Sequence, residues 1–165
     1  MADAAALSED VKHAPRVLLL ADHGTAGASR AQALALSQAT PGETTVVHLY
    51  VVPDFWAGMQ GDDWLNNAWT RDAFAEHVEQ QLDDEARQHL AAVAQACRAR
   101  GLDCASLVRF GDPTRCLIEV AAAQGAELVV IGPPRPKGMA GYRSRIELDK
   151  LVRGLRAPLL IASGK

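Results

Sequence analysis

Short apolar runs alternate with helical segments along this chain, and this alternation restricts the folds that it can adopt. Five runs rich in Val, Leu and Ile are predicted to be strands, at residues 16–22, 44–52, 104–110, 127–131 and 158–163. Between the runs, apolar residues recur at three- and four-residue spacing, which is typical of amphipathic helices. No hairpin turn joins the first two strands. The alternation predicts an α/β fold: a Rossmann-like, open, five-stranded, mostly parallel sheet with helices on both faces.

The local signals for helix ends support this division. Helices are expected at residues 29–38, 71–100, 113–124 and from near Arg145 onward. Gly101 suits the end of the long second helix. Asp112 can cap the third helix, with Pro113 in its first turn. Ser144 and Glu147 form an S-x-x-E pair, which predicts that the last helix begins between them.

Length and composition indicate one domain. The 165 residues suffice for a single core, and we expect residues 1–14 to be a disordered arm and residues 15–165 to be the domain. No apolar run approaches the roughly 18 residues that span a bilayer, so membrane insertion is not expected. The three cysteines form no CxxC pair, so we expect a reducing cytoplasm and assign the thiols no role.

A ligand site is expected where the parallel strands end. Open sheets of this kind bind ligands in the crevice outside the carboxyl ends of their strands. That rule points to the loops after Asp22, Val52 and Gly132. The fold by itself does not name the ligand.

The sequence gives little sign of catalytic or metal chemistry. It contains no GxSxG elbow, no GxxxxGK[ST] loop and no HExxH motif, and its five histidines lack paired metal-ligand spacing. His48 lies inside a strand and is interpreted as a satisfied core imidazole. His23 follows Asp22 at a strand end, where it is either a ligand contact or a plain loop residue. We therefore predict no catalytic residue, no metal site and no enzyme activity.

Positive charge is concentrated near the carboxyl terminus. Residues 133–156 carry seven basic and two acidic residues, a net charge of +5, and since the whole chain is −3 the remainder is −8. Such asymmetry can mark an anion site. From the residues alone, a solvated basic loop and helix face is the favoured interpretation.

Four segments together resemble the universal stress protein family. They are FGDPTRCLIEVAAAQGAELVVIG (110–132), RVLLLADHG (16–24), VVHLYVVPD (46–54) and LRAPLLIAS (155–163). The GDP turn that opens a helix, followed by a G-A-E-L strand ending in glycine, is the most specific part. The likeness runs from about Arg16 to the end. It implies a non-enzymatic, cytoplasmic stress-response module with a protein partner, dimerising through the strand Pro158–Ser163.

Members of the family that bind ATP carry the signature G-x2-G-x9-G-(S/T), and here that signature is broken. Gly132 fills the first position, but Arg135 stands at the second, and Arg145 and Ile146 stand at the closing pair. An alignment shifted to Gly138, Gly141 and Ser144 recovers glycines at the wrong spacing. The phosphate half of the site is therefore expected to be altered.

The resemblance also names site residues. The adenine and ribose are expected against Leu20, Ala21, Asp22, Val51, Ile131 and Gly132, with Arg135, Gly138, Arg145 and Ile146 in the phosphate loop. Arginine at glycine positions adds bulk, which favours loss of ATP binding. Alternatively, the guanidinium groups grip phosphate themselves, which suits AMP or a cyclic nucleotide better than Mg-ATP.

The family pattern is most divergent between residues 52 and 71. Three tryptophans lie in this insert, Trp56, Trp64 and Trp69, together with Phe55. The cluster predicts a lid over the crevice, a partner surface or a satellite core. The three aspartates of the insert argue against nucleic-acid binding.

Overall fold

A parallel sheet forms the centre of the molecule. The computed structural model describes residues 13–22, 26–52, 84, 86–133 and 146–163. The strands are β1 (Val17–Asp22), β2 (Thr45–Val52), β3 (Asp103–Phe110), β4 (Leu128–Ile131) and β5 (Leu159–Ile161). All neighbouring strands are parallel, in the order β3-β2-β1-β4-β5. The predicted fold class is confirmed.

The helices connect successive strands. They are α1 (Ala26–Gln38), α2 (helical over residues 86–99), α3 (Pro113–Gln124) and α4 (Leu148–Gly154). Helix α2 is followed by Gly101 at φ +70°, a left-handed conformation that favours glycine. Helix α3 begins as predicted, because the side chain of Asp112 accepts a hydrogen bond from the backbone N–H of Arg115 at 2.8 Å. No helix among the described residues is long and apolar enough to cross a membrane.

The predicted start of the last helix near Arg145 is wrong. Helix α4 begins at Leu148, and Glu147 is its extended N-cap residue, without a side-chain capping bond. The backbone N–H of Glu147 donates instead to the hydroxyl oxygen of Thr114 in α3, at 2.8 Å. Its carboxylate lies 2.7 Å from the Lys150 ammonium. The backbone of Glu147 is extended and its N–H is bonded to Thr114. Glu147 therefore precedes the helix and is not the third helical residue that a capping box requires.

Two hydrophobic cores cover the two faces of the sheet, because side chains along each strand alternate in direction. Leu19, Val47 and Val129 pack on one face, under α3 and α4. Leu18 and Val46 pack on the other, under α1 and α2. The central strands are therefore buried on both sides, as their near-continuous apolar sequences predict.

The crevice predicted for a ligand lies between the ends of β1 and β4. β1 and β4 are neighbours in the sheet, but the chain continues from β1 to β2 on one side and from β4 to β5 on the other. This reversal makes their carboxyl ends the topological switch point of the sheet. Gly132 follows β4, and a Cβ at that position would lie 3.1 Å from the carbonyl oxygen of Gly27 in α1. Glycine at position 132 therefore lets the first turn of α1 approach the end of β4.

Candidate functional site

Most of the residues predicted to line a nucleotide crevice are core residues. Five of them are at most 3% exposed: Leu20, Ala21, Asp22, Val51 and Ile131. Ala21, Val51 and Ile131 belong to the core under α3 and α4, whereas Leu20 belongs to the core under α1 and α2. The five therefore lie on both faces of the sheet and do not share one surface.

The remaining predicted residues belong to the phosphate half of the crevice. Gly132 and Ile146 are partly exposed, and Ile146 packs against the core under α3 and α4. Arg135, Gly138 and Arg145 lie outside the described residues, as do His23 and the insert with its three tryptophans.

The residue that stands out at the strand ends is Asp22, which contacts two histidines. Its Oδ2 lies 3.1 Å from Nε2 of His48, and its Oδ1 is hydrogen-bonded to Nε2 of His89. The side chains of Asp22 and His48 are 1% and 0% exposed, and that of His89 is 23% exposed. The two imidazole rings meet edge to face, with centroids 5.4 Å apart. We call these three residues the Asp-His-His cluster.

Each member of the cluster is brought there by a different element. In the parallel register of β1 and β2, His48 pairs with Leu20 and Tyr50 pairs with Asp22, so Asp22 and His48 share one face of the sheet. On α2, His89 precedes Val93 by four residues, one helical turn. Val93 packs in the core under α1 and α2, so the preceding turn of the same helix face carries His89 to the strand ends.

The cluster favours an ionised Asp22 carboxylate and a protonated His89. Burial alone would raise the pKa of Asp22, but the contacts with His48 and His89 outweigh it and lower the pKa to about 2. The hydrogen bond to Asp22 raises the pKa of His89 above its usual value, against the opposing effect of burial. Asp22 is therefore ionised throughout the physiological range, and His89 holds a proton more readily than a free histidine.

His48 is only partly what the sequence predicts. The imidazole is fully buried in the core, as expected, but only one of its two nitrogens has a partner. Its Nε2 lies 3.1 Å from Oδ2 of Asp22, whereas its Nδ1 has no hydrogen-bond partner among the described residues. A buried polar atom without a partner costs roughly 1–3 kcal/mol.

One sequence signal for this cluster lies on α2. His89 lies on the apolar stripe of α2, one turn before Val93 and two turns before Cys97. A histidine on a buried helix face, placed opposite a strand that ends in aspartate, is the pattern to search for. The three residues offer ligand atoms that all lie within 4.8 Å of one another.

The three thiols are free, and the two buried ones are poorly suited to nucleophilic chemistry. Cys97 and Cys116 are buried and Cys104 is partly exposed. Burial, together with neighbouring Cys104, raises the pKa of Cys97 to about 12, and burial also raises the pKa of Cys116. Since the thiolate is the reactive form, Cys97 and Cys116 are poor nucleophiles in the folded protein.

A family comparison bears on the whole domain. The family model described as the universal stress protein family matches residues 14–163. The chain belongs to the universal stress protein family. The resemblance inferred from the four sequence segments is thereby confirmed. A separate search of curated protein sequences found no match.

Solved structures of universal stress proteins share the fold. One from Burkholderia pseudomallei is 22% identical, with a TM-score of 0.63, covering 88% of this chain and 94% of its own. An Arabidopsis thaliana member with AMP bound is 14% identical, with a TM-score of 0.57, covering 90% and 91%. A universal stress protein in complex with cAMP is 16% identical, with a TM-score of 0.56, covering 93% and 100%.

Proposed function

We propose that this universal stress protein is a non-enzymatic, cytoplasmic regulatory module that acts as a homodimer and whose crevice does not take up Mg-ATP. The observation that carries the proposal is the position of Asp22. Its side chain is 1% exposed and is engaged with His48 and His89 at the end of β1. A buried carboxylate that contacts two imidazoles is not accessible to a ligand in the crevice.

The phosphate loop supports the same conclusion. In the family signature, glycines let the backbone approach the phosphates, and the closing hydroxyl adds a donor. Arg135, Arg145 and Ile146 stand at three of those positions. Their side chains add bulk where phosphate would meet backbone, and isoleucine donates no hydrogen bond.

Calorimetric titration with Mg-ATP tests this proposal. We expect no binding at micromolar concentrations. The matched variant Arg135→Gly/Arg145→Gly/Ile146→Ser restores the signature, and we expect it to bind Mg-ATP more tightly than the natural chain. Micromolar Mg-ATP binding by the natural chain would show that the proposal is wrong.

The homodimer is proposed to form through β5. This strand is an edge of the sheet and includes Ile161, which is 39% exposed. The backbone N–H of Val129 donates to the carbonyl oxygen of Pro158, and the backbone N–H of Ala162 donates to the carbonyl oxygen of Ile131. Because the backbone groups of successive residues in a strand point to opposite sides, those of Leu159 and Ile161 point away from β4. Those outward groups can pair with the same strand of a second copy, giving a two-fold contact.

Light scattering after size-exclusion chromatography tests the dimer. Ile161→Pro removes an outward N–H without removing a bond to β4, so we expect the variant to elute as a monomer. Ile161→Val keeps the N–H and is the matched control, for which we expect a dimer. A natural chain that is monomeric at tens of micromolar would contradict the dimer.

A second candidate function is an AMP or cyclic-nucleotide sensor whose ligand changes its association with a protein partner. Two observations favour it: the solved relatives with AMP and with cAMP, and the net charge of +5 over residues 133–156. Arginine side chains would then replace backbone N–H groups as phosphate donors. Titration with AMP and cAMP tests it: we expect Arg145→Ala to weaken binding markedly if the sensor exists. An unchanged affinity would remove the arginine from the site.

A further inference from the structure

We propose that Asp22, His48 and His89 form a binding site for a divalent transition-metal ion, with zinc as the expected species. The proposal does not depend on any nucleotide. It concerns the face of the sheet under α2, and its three ligands come from β1, β2 and α2.

The donor atoms are already close to the spacing that a metal requires. Zinc ligands lie about 2.0–2.2 Å from the ion, so tetrahedral ligand atoms stand about 3.3 Å from one another. The His48–Asp22 separation is 3.1 Å, and the three ligand atoms all lie within 4.8 Å. Binding therefore requires side-chain movements that bring the most distant of the three ligand atoms, up to 4.8 Å apart, to about 3.3 Å.

The chemistry of the donors selects the class of ion. Two imidazoles and one carboxylate suit zinc and the neighbouring first-row metals, whereas magnesium and calcium prefer oxygen ligands alone. Three protein ligands are also the set found in zinc sites that keep a fourth position for water or another ligand.

The buried imidazole of His48 already faces another donor of the site. It is 0% exposed, and its Nε2 lies 3.1 Å from Oδ2 of Asp22. An ion bound to Nε2 would be shared by this ring and that carboxylate inside the fold. His48 is the one buried imidazole in the described part of the chain.

The exposure of His89 gives an ion a route to the site, and binding there would stabilise the fold. His89 is 23% exposed, so an ion can reach the cluster from the side of α2, whereas Asp22 and His48 are enclosed. A bound ion would join α2 to the two central strands. Since an ion that binds only the folded state stabilises it by mass action, we expect zinc to raise the melting temperature.

The test uses the full-length, tag-free chain, freed of metal with a chelator and titrated with zinc sulfate. We expect one zinc per chain and a melting temperature raised by about 5–10 °C at a free zinc concentration about 100 times Kd. Cobalt chloride is the spectroscopic probe, since a site of two imidazoles and one carboxylate gives visible absorption bands that hexaaqua cobalt lacks.

Three variants assign the site. His89→Gln removes a partly exposed ligand, and we expect zinc to bind at least about tenfold more weakly, with the cobalt bands lost. His13→Gln changes an exposed histidine outside the cluster and is the matched control, expected to bind as the natural chain does. Cys104→Ser removes the partly exposed thiol and is expected to leave zinc affinity unchanged.

Any one of three results would overturn the proposal. If the natural chain binds no zinc at micromolar concentrations, the cluster is a hydrogen-bonded network only. If folded His89→Gln binds as tightly as the natural chain, or if Cys104→Ser abolishes binding, the ion is held elsewhere. Circular dichroism of each variant establishes that it is folded before affinities are compared.

Discussion

Replacing Asp22 by asparagine removes the charge around which the Asp-His-His cluster is organised. In the folded protein the pKa of Asp22 is lowered from 3.8 to about 2. Since one pKa unit corresponds to about 1.36 kcal/mol, the ionised form is favoured by roughly 2–3 kcal/mol. Because the side chain is only 1% exposed, solvent screening does not reduce this figure much. We expect Asp22→Asn to lower the free energy of unfolding at pH 6 by roughly 2–3 kcal/mol in metal-free protein.

The sign of the pH dependence follows from the two shifted groups. The pKa of Asp22 is lowered on folding, so its contribution is present above pH 3.8 and is lost as the pH falls towards 2. The pKa of His89 is raised, so its contribution is present below pH 6.5 and is lost as the pH rises through the raised value. The difference between the natural chain and Asp22→Asn should therefore be largest between about pH 4 and 6.5.

Urea unfolding with a chelator present, followed by circular dichroism at several pH values, measures this difference. Asp103→Asn is the matched control, because Asp103 is exposed at the start of β3, and we expect a change within about 0.5 kcal/mol. An Asp22→Asn variant as stable as the natural chain at pH 6, or a difference that does not vary with pH, would refute the electrostatic account of the cluster.

Two further predictions concern other parts of the fold. Asp112→Ala removes the side-chain oxygen that accepts a 2.8 Å hydrogen bond at the start of α3, and it should lower the free energy of unfolding by about 1 kcal/mol. Asp112→Asn keeps an acceptor and should retain most of that stability. Equal stabilities of the two variants in urea would contradict this prediction. A pKa of about 12 for Cys97, against 9.0 for an unperturbed thiol, leaves about a thousandfold less thiolate at pH 8. A disulfide reagent should therefore modify Cys104 rapidly and Cys97 only on unfolding, as peptide mass mapping would show; rapid labelling of Cys97 in folded protein would disprove it.

Local sequence signals were enough to predict most of the fold. The alternation of β-branched runs and helices predicted the parallel sheet, and the strand ends agree with the structure within a few residues. The Asp112–Pro113 pair predicted the start of α3 correctly because its capping interaction is local. The start of α4 was mispredicted for the opposite reason, since a contact with Thr114, distant in sequence, holds Glu147 outside the helix.

The candidate site was harder to predict, because its members are separated along the chain by 26 and 41 residues. Metal motifs are recognised from spacing within one element, whereas Asp22, His48 and His89 come together only through the β1–β2 register and the packing of α2. The family resemblance named Asp22 as a residue of the nucleotide site. It did not indicate that two imidazoles contact its carboxylate inside the fold.

We propose that this universal stress protein is a regulatory module that does not bind Mg-ATP. Native mass spectrometry of the protein, purified without added nucleotide from cells that express it naturally, measures directly which nucleotide it carries. We expect a homodimer whose mass includes no nucleoside triphosphate. A stoichiometric ATP adduct would show that the proposed function is wrong.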